Sequence, residues 1–142
     1  VVAEYYIRRN GDSTTGRFNI RQFDNISSDN ILKRYILTHY KTDEHLCLQI
    51  DRQIFNHLFL LSHKFFVNYN CFNKKDRKVL LGRLCENYDK IDRAKLKGIL
   101  STEEKMKNLL LKLYLSPLSK NEVTLFALIL FAKILTRLKR CF

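Results

Sequence analysis

The chain has no tryptophan, one proline, four glycines, and 14 acidic against 26 basic residues in 142. The shortage of acid leaves a net charge of +12, which makes an anionic partner the expectation: a phosphoprotein, a nucleic acid or an acidic lipid. There is no glycine-rich nucleotide loop followed by Lys-Ser/Thr, no prominent pair of carboxylates and no nucleophile elbow. Nothing in the sequence therefore points to an enzyme, and no cofactor is implied. Cys47, Cys71, Cys85 and Cys141 are widely spaced and lack the close pairs of zinc sites and redox motifs, so they read as reduced core thiols of a cytosolic protein. His57 and His63 are six residues apart and share no helix face, which argues against metal binding. The longest apolar run, Val123 to Leu135, falls short of the ~20 residues of a membrane span. It reads as a buried helix. Low-complexity segments, repeats and linkers are absent, so residues 1–142 are expected to form a single domain.

At 46% apolar, the composition supports a core without disulfides. From Glu4 to Asn25 an apolar strand ends in Arg8 and Arg9, a polar turn follows, and a second segment alternates through Phe18 and Ile20. An arginine at a strand end facing Ser13, Thr14 and Thr15 is one way to build an anion pocket, because guanidinium donors match phosphate oxygens. Ile31 to Lys41 and His45 to Asp51 read as two further strands. The rival reading of Asp29 to Tyr40 as a helix rests on the four-residue step of Leu32, Ile36 and Tyr40, but β-branched and aromatic content favours strand.

From Arg52 onward the period becomes helical. Ile54, Leu58, Leu61 and Phe65 share one face, and Val79, Leu80, Leu84 and Tyr88 another, with Asn73 as cap. Capping boxes occur at Ser101-x-x-Glu104 and Ser119-x-x-Glu122, with Pro117 between the last two helices. The expected fold is thus α+β: a small central antiparallel sheet in the amino-terminal third, followed by or packed against several α-helices.

On these residues the strand half resembles a Src-homology-2 domain, the phosphotyrosine-binding module. Tyr5-Tyr6-Ile7-Arg8 stands where that family has F-L-V-R, Asp12 to Gly16 resembles its phosphate loop, and Lys33 to Leu37 looks like its strand with H-Y-K-I. The resemblance implies that Arg8 grips the phosphate, Ser13, Thr14 and Thr15 donate to it, and Arg34 or Lys33 flanks the phenyl ring. Arg21 and Tyr35 are supporting positions. Arg34 replaces the family's His, no helix precedes the first strand and no Trp opens the domain. The family's second helix falls at Phe55 to Phe66 or at Val123 to Leu138, with about residues 53–118 as a helical insertion or extension.

The implied function is a non-catalytic phosphotyrosine-peptide binding module acting in signalling, with tyrosine-phosphorylated proteins as partners. Its expected location is cytoplasmic, or the host cytosol for a bacterial effector. A basic helical nucleic-acid-binding protein, with a helix-turn-helix between Asn73 and Leu115, and a helix-bundle protein-interaction adaptor are the alternatives.

Overall fold

Asp43, Asn73, Asp92 and Ser101 each accept a hydrogen bond from the backbone N–H three residues ahead, at 3.0, 2.8, 3.2 and 3.2 Å. Each opens a helix, because a short side-chain oxygen satisfies a donor that the first turn leaves without an intrahelical partner. The computed structural model describes residues 18–40, 43–116 and 121–141. Six helices run through them: α1 (Phe23–His39), α2 (Glu44–Val67), α3 (Lys74–Asp89), α4 (Arg93–Lys97), α5 (Thr102–Tyr114) and α6 (Glu122–Cys141). Short 3-10 turns at Ile20–Gln22 and Tyr69–Cys71 precede α1 and follow α2.

The fold class is all-helical among the described residues, which overturns the expected α+β architecture with its antiparallel sheet. Within Arg17 to Phe23, expected as a second strand, the described residues hold a 3-10 turn at Ile20–Gln22, where the Asn19 side chain accepts from Arg21 N at 3.0 Å, and Phe23 opens α1. Ile31 to Lys41, expected as the third strand, falls largely in α1. His45 to Asp51, expected as the fourth, is the first two turns of α2. Helical character begins near residue 20 rather than near 53. The expected first strand and its polar turn lie outside the described residues, as do Pro117 and the Ser119 half of the second capping box.

The strand reading failed for a physical reason. On α1 the inward positions are Phe23, Ile26, Asp29 and Ile36, with Lys33 half-buried beside them. Two of those five are charged, so the apolar period that marks an amphipathic helix is blunted. Leu32 and Tyr40, from the four-residue step, face outward. In α2 the inner set is Cys47, Ile50, Asp51 and Ile54, a helical spacing, while Leu46 is turned out.

Every other helix packs against α2. Its second half is sequestered nearly all round: Phe55, Leu58, Phe65 and Phe66 are fully buried. The four apolar residues expected on one face, Ile54, Leu58, Leu61 and Phe65, are all in the core. Aromatic rings close it: Phe66 stacks on Tyr114 of α5 at 4.7 Å, and Phe65 on Phe72 at 5.6 Å. Burial pushes the Tyr114 phenol up to about 12, and its hydroxyl lies 3.0 Å from His63 Nδ1, whose Nε2 lies 2.9 Å from Thr136 of α6.

The amino-terminal half of α2 is joined to its neighbours by polar contacts. His57 Nδ1 and Gln53 donate to the Asp29 carboxylate at 2.9 and 3.0 Å, and Lys33 Nζ donates to Asp51 at 2.6 Å. Arg52 Nε donates to both oxygens of Glu104 at 2.9 and 3.0 Å. On α3, Asn73 is the cap and Leu80, Leu84 and Tyr88 are buried, but Val79 is exposed. Cys47 is buried and Cys85 half-buried, whereas Cys71 is exposed, against its expectation as a core thiol. The Cys141 side chain lies outside the description.

Candidate functional site

A groove of about 480 Å³ runs between α1 and the end of α3. The helical period of α1 puts Ser27, Asn30, Lys33 and Arg34 along it, and Ile31 and Leu37 line its apolar parts. Asn87 of α3 and Lys90, which caps its carboxyl end, complete the lining. One amide hydrogen of Asn30 is spent on Ile26 O at 3.0 Å and one of Asn87 on Arg83 O at 2.8 Å, which fixes both side chains.

The three cations differ in availability. Lys33 is half-buried and neutralised by Asp51. Lys90 has Glu86 at 3.3 Å, but both groups are exposed, so solvent screens that pair and it holds the ammonium only weakly. Arg34 is exposed and has no ion-pair partner among the described residues. Arg34 and Lys90 therefore present donors and positive charge to the groove, with the Ser27 hydroxyl as a third donor.

Of the residues expected at a phosphate site, Lys33 and Arg34 share this groove. Tyr35 leaves it and stacks on His39, ring centroids 4.1 Å apart. Arg21 lies in the 3-10 turn before α1 and does not line the groove. Arg8, Ser13, Thr14 and Thr15 lie outside the described residues. Asn87 and Lys90 escaped sequence reasoning. More than fifty residues separate them from Arg34, and no local pattern links them.

A second polar centre is structural. Glu104 sits buried at the start of α5, accepting from Arg52, from Asn56 at 3.1 Å and from Ser101 N at 2.9 Å. The Arg52 hydrogen bonds hold its carboxyl down at about 2 in spite of its burial, with the Ser101 and Asn56 bonds and the Arg52 charge adding to the effect. Among the described residues no group of three or more histidine, cysteine or carboxylate side chains is placed to hold a metal ion. None of the described helices is long and apolar enough to cross a membrane.

Fold and groove together define a class: a basic helical bundle with a cation-lined surface groove. No protein-family model matches the chain, and neither a curated protein nor a solved structure shows significant similarity to it.

Proposed function

We propose that this chain is a non-catalytic recognition module that binds a phosphate-bearing segment of a protein partner, with tyrosine phosphate as the ligand group, in the groove between α1 and α3. The observation that carries the reading is the presence of Arg34 and Lys90 on one groove that Ile31 and Leu37 also line. A phosphoryl dianion takes two or three donors from such a pair and Ser27, and the phenyl ring lies on Ile31 and Leu37. Arg34, expected on a strand beside the phenyl ring, stands on helix α1 and in this reading takes the phosphate. The net charge of +12 supports the reading by drawing acidic segments into encounter.

Titration with a phosphotyrosine peptide, its unphosphorylated twin and a short DNA duplex tests it. The phosphopeptide should bind, the twin at least about tenfold more weakly, and Arg34→Glu should remove the difference. Equal binding of the twin, or tighter binding of the duplex, would replace phosphate recognition with the adaptor or nucleic-acid reading.

A further inference from the structure

Helix α6 is apolar on two opposite sides. Leu125, Leu128, Ile129 and Ala132 pack into the core. Across the helix Val123, Phe126, Leu130, Ile134 and Leu138 recur at steps of three and four and stand exposed, Val123 at 78% and Phe126 at 69%. The expectation of a buried helix therefore holds for one side only. Lys133 and Arg137 are exposed beside this ridge, and Glu122, in the first turn, is the sole acid of the helix. At the ridge foot, Tyr69 and Asn70 close a groove of about 240 Å³ with Phe126 and Leu130. The Arg77 guanidinium lies 4.3 Å over the Tyr69 ring.

We propose that the outer face of α6 docks on an anionic phospholipid surface, its apolar ridge inserted among the acyl chains and Lys133 and Arg137 meeting the headgroups. Charge selects this occupant over a second copy, since two chains of +12 repel and both ridges carry the same cations. Area points the same way. The ridge exposes on the order of 500 Å² of apolar surface, short of the ~800 Å² per partner of a stable protein interface. An interfacial helix has no such threshold. Its affinity grows with inserted apolar area and with attraction between Lys or Arg and acidic headgroups. Large aliphatic and aromatic side chains on the ridge, with tyrosine and asparagine at its foot, match the depth profile of that interface. The helix is about 30 Å long and lies in the plane of the surface.

Vesicle sedimentation, with phosphatidylcholine alone and with added phosphatidylserine, tests the proposal on the 142-residue chain. Sedimentation is expected with the anionic vesicles and little with the neutral ones. The double substitution Phe126→Ser with Leu130→Ser should lower it by roughly tenfold or more while leaving the thermal midpoint of the exposed-face variant unchanged. Because the chain has no tryptophan, Phe126→Trp supplies a single reporter whose emission should shift to the blue with anionic vesicles. No sedimentation with the anionic vesicles overturns the proposal. So does sedimentation with an unshifted tryptophan, which assigns binding to basic surface alone. A concentration-dependent dimer that the double substitution dissolves overturns it in favour of a second copy.

Discussion

Glu104 shows how a single side chain ties local and tertiary structure together. It closes the capping box of α5 and takes Arg52 of α2 on both oxygens. Its folded value of about 2 lies below the ordinary 4.5. A carboxylate depressed in this way adds stability above its unfolded value, and that stability is lost as pH falls through the window between 4.5 and about 2. Glu104→Gln should therefore cost about 1–2 kcal/mol at neutral pH, the worth of a charge-assisted bond in a cap. Urea unfolding at a series of pH values checks this: the gap between the two proteins should narrow steadily below pH 4.5. A constant gap would mean that the charge is irrelevant. Half of this arrangement was legible, since Ser101-x-x-Glu104 is a local pattern. Arg52 and Asn56, some fifty residues away, were not.

At the scale of elements, α3 contains a correctable weakness. Gly82 lies in its interior, exposed, and a Cβ there would meet nothing within 4 Å. Gly82→Ala should stabilise the protein by about 0.5–1 kcal/mol, by lowering the entropy of the unfolded chain and raising helix propensity. A denaturant midpoint that rises without a change in slope is the expected result; a fall would show that α3 needs the glycine. Helix α3 itself was legible because its cap and inner residues agree: Asn73 opens it, and Leu80, Leu84 and Tyr88 follow on one side. Helix α1 was not. Its inner face spends Asp29 and Lys33 on polar contacts with α2, leaving aliphatic and aromatic residues such as Leu32, Tyr35 and Leu37 outside. Alternation of that kind resembles a half-buried strand until α2 is in place to show which side is inside.

For the whole molecule, the dependence of every helix on α2 sets the order of local stability. Amides from Ile54 to Phe66 lie where buried side chains are most concentrated, on the helix against which the others pack. They should exchange with solvent only through global unfolding, more slowly than those of α1 or α6, whose outer faces are exposed. Native-state hydrogen exchange checks this, and faster exchange in the centre of α2 than in α6 would contradict it. The same arrangement leaves two surfaces unspent: the cation-lined groove along α1 and the apolar ridge of α6.

The amino-acid sequence by itself determined the positive charge, the absence of recognisable catalytic motifs and those helices whose caps and 3.6-residue apolar period agree. Each of these is composition or a contact between residues a few positions apart. Only tertiary structure decided that Phe23 to His39 and Glu44 to Ile50 are helical, that Arg34 and Lys90 share a groove, and that one side of α6 remains outside. Intrinsic helix and strand preferences differ by about 1 kcal/mol per residue or less, so the surface offered by α2 outweighs them. Which side of a helix is covered depends on how many neighbours reach it, and α6 is apolar on more sides than its neighbours cover.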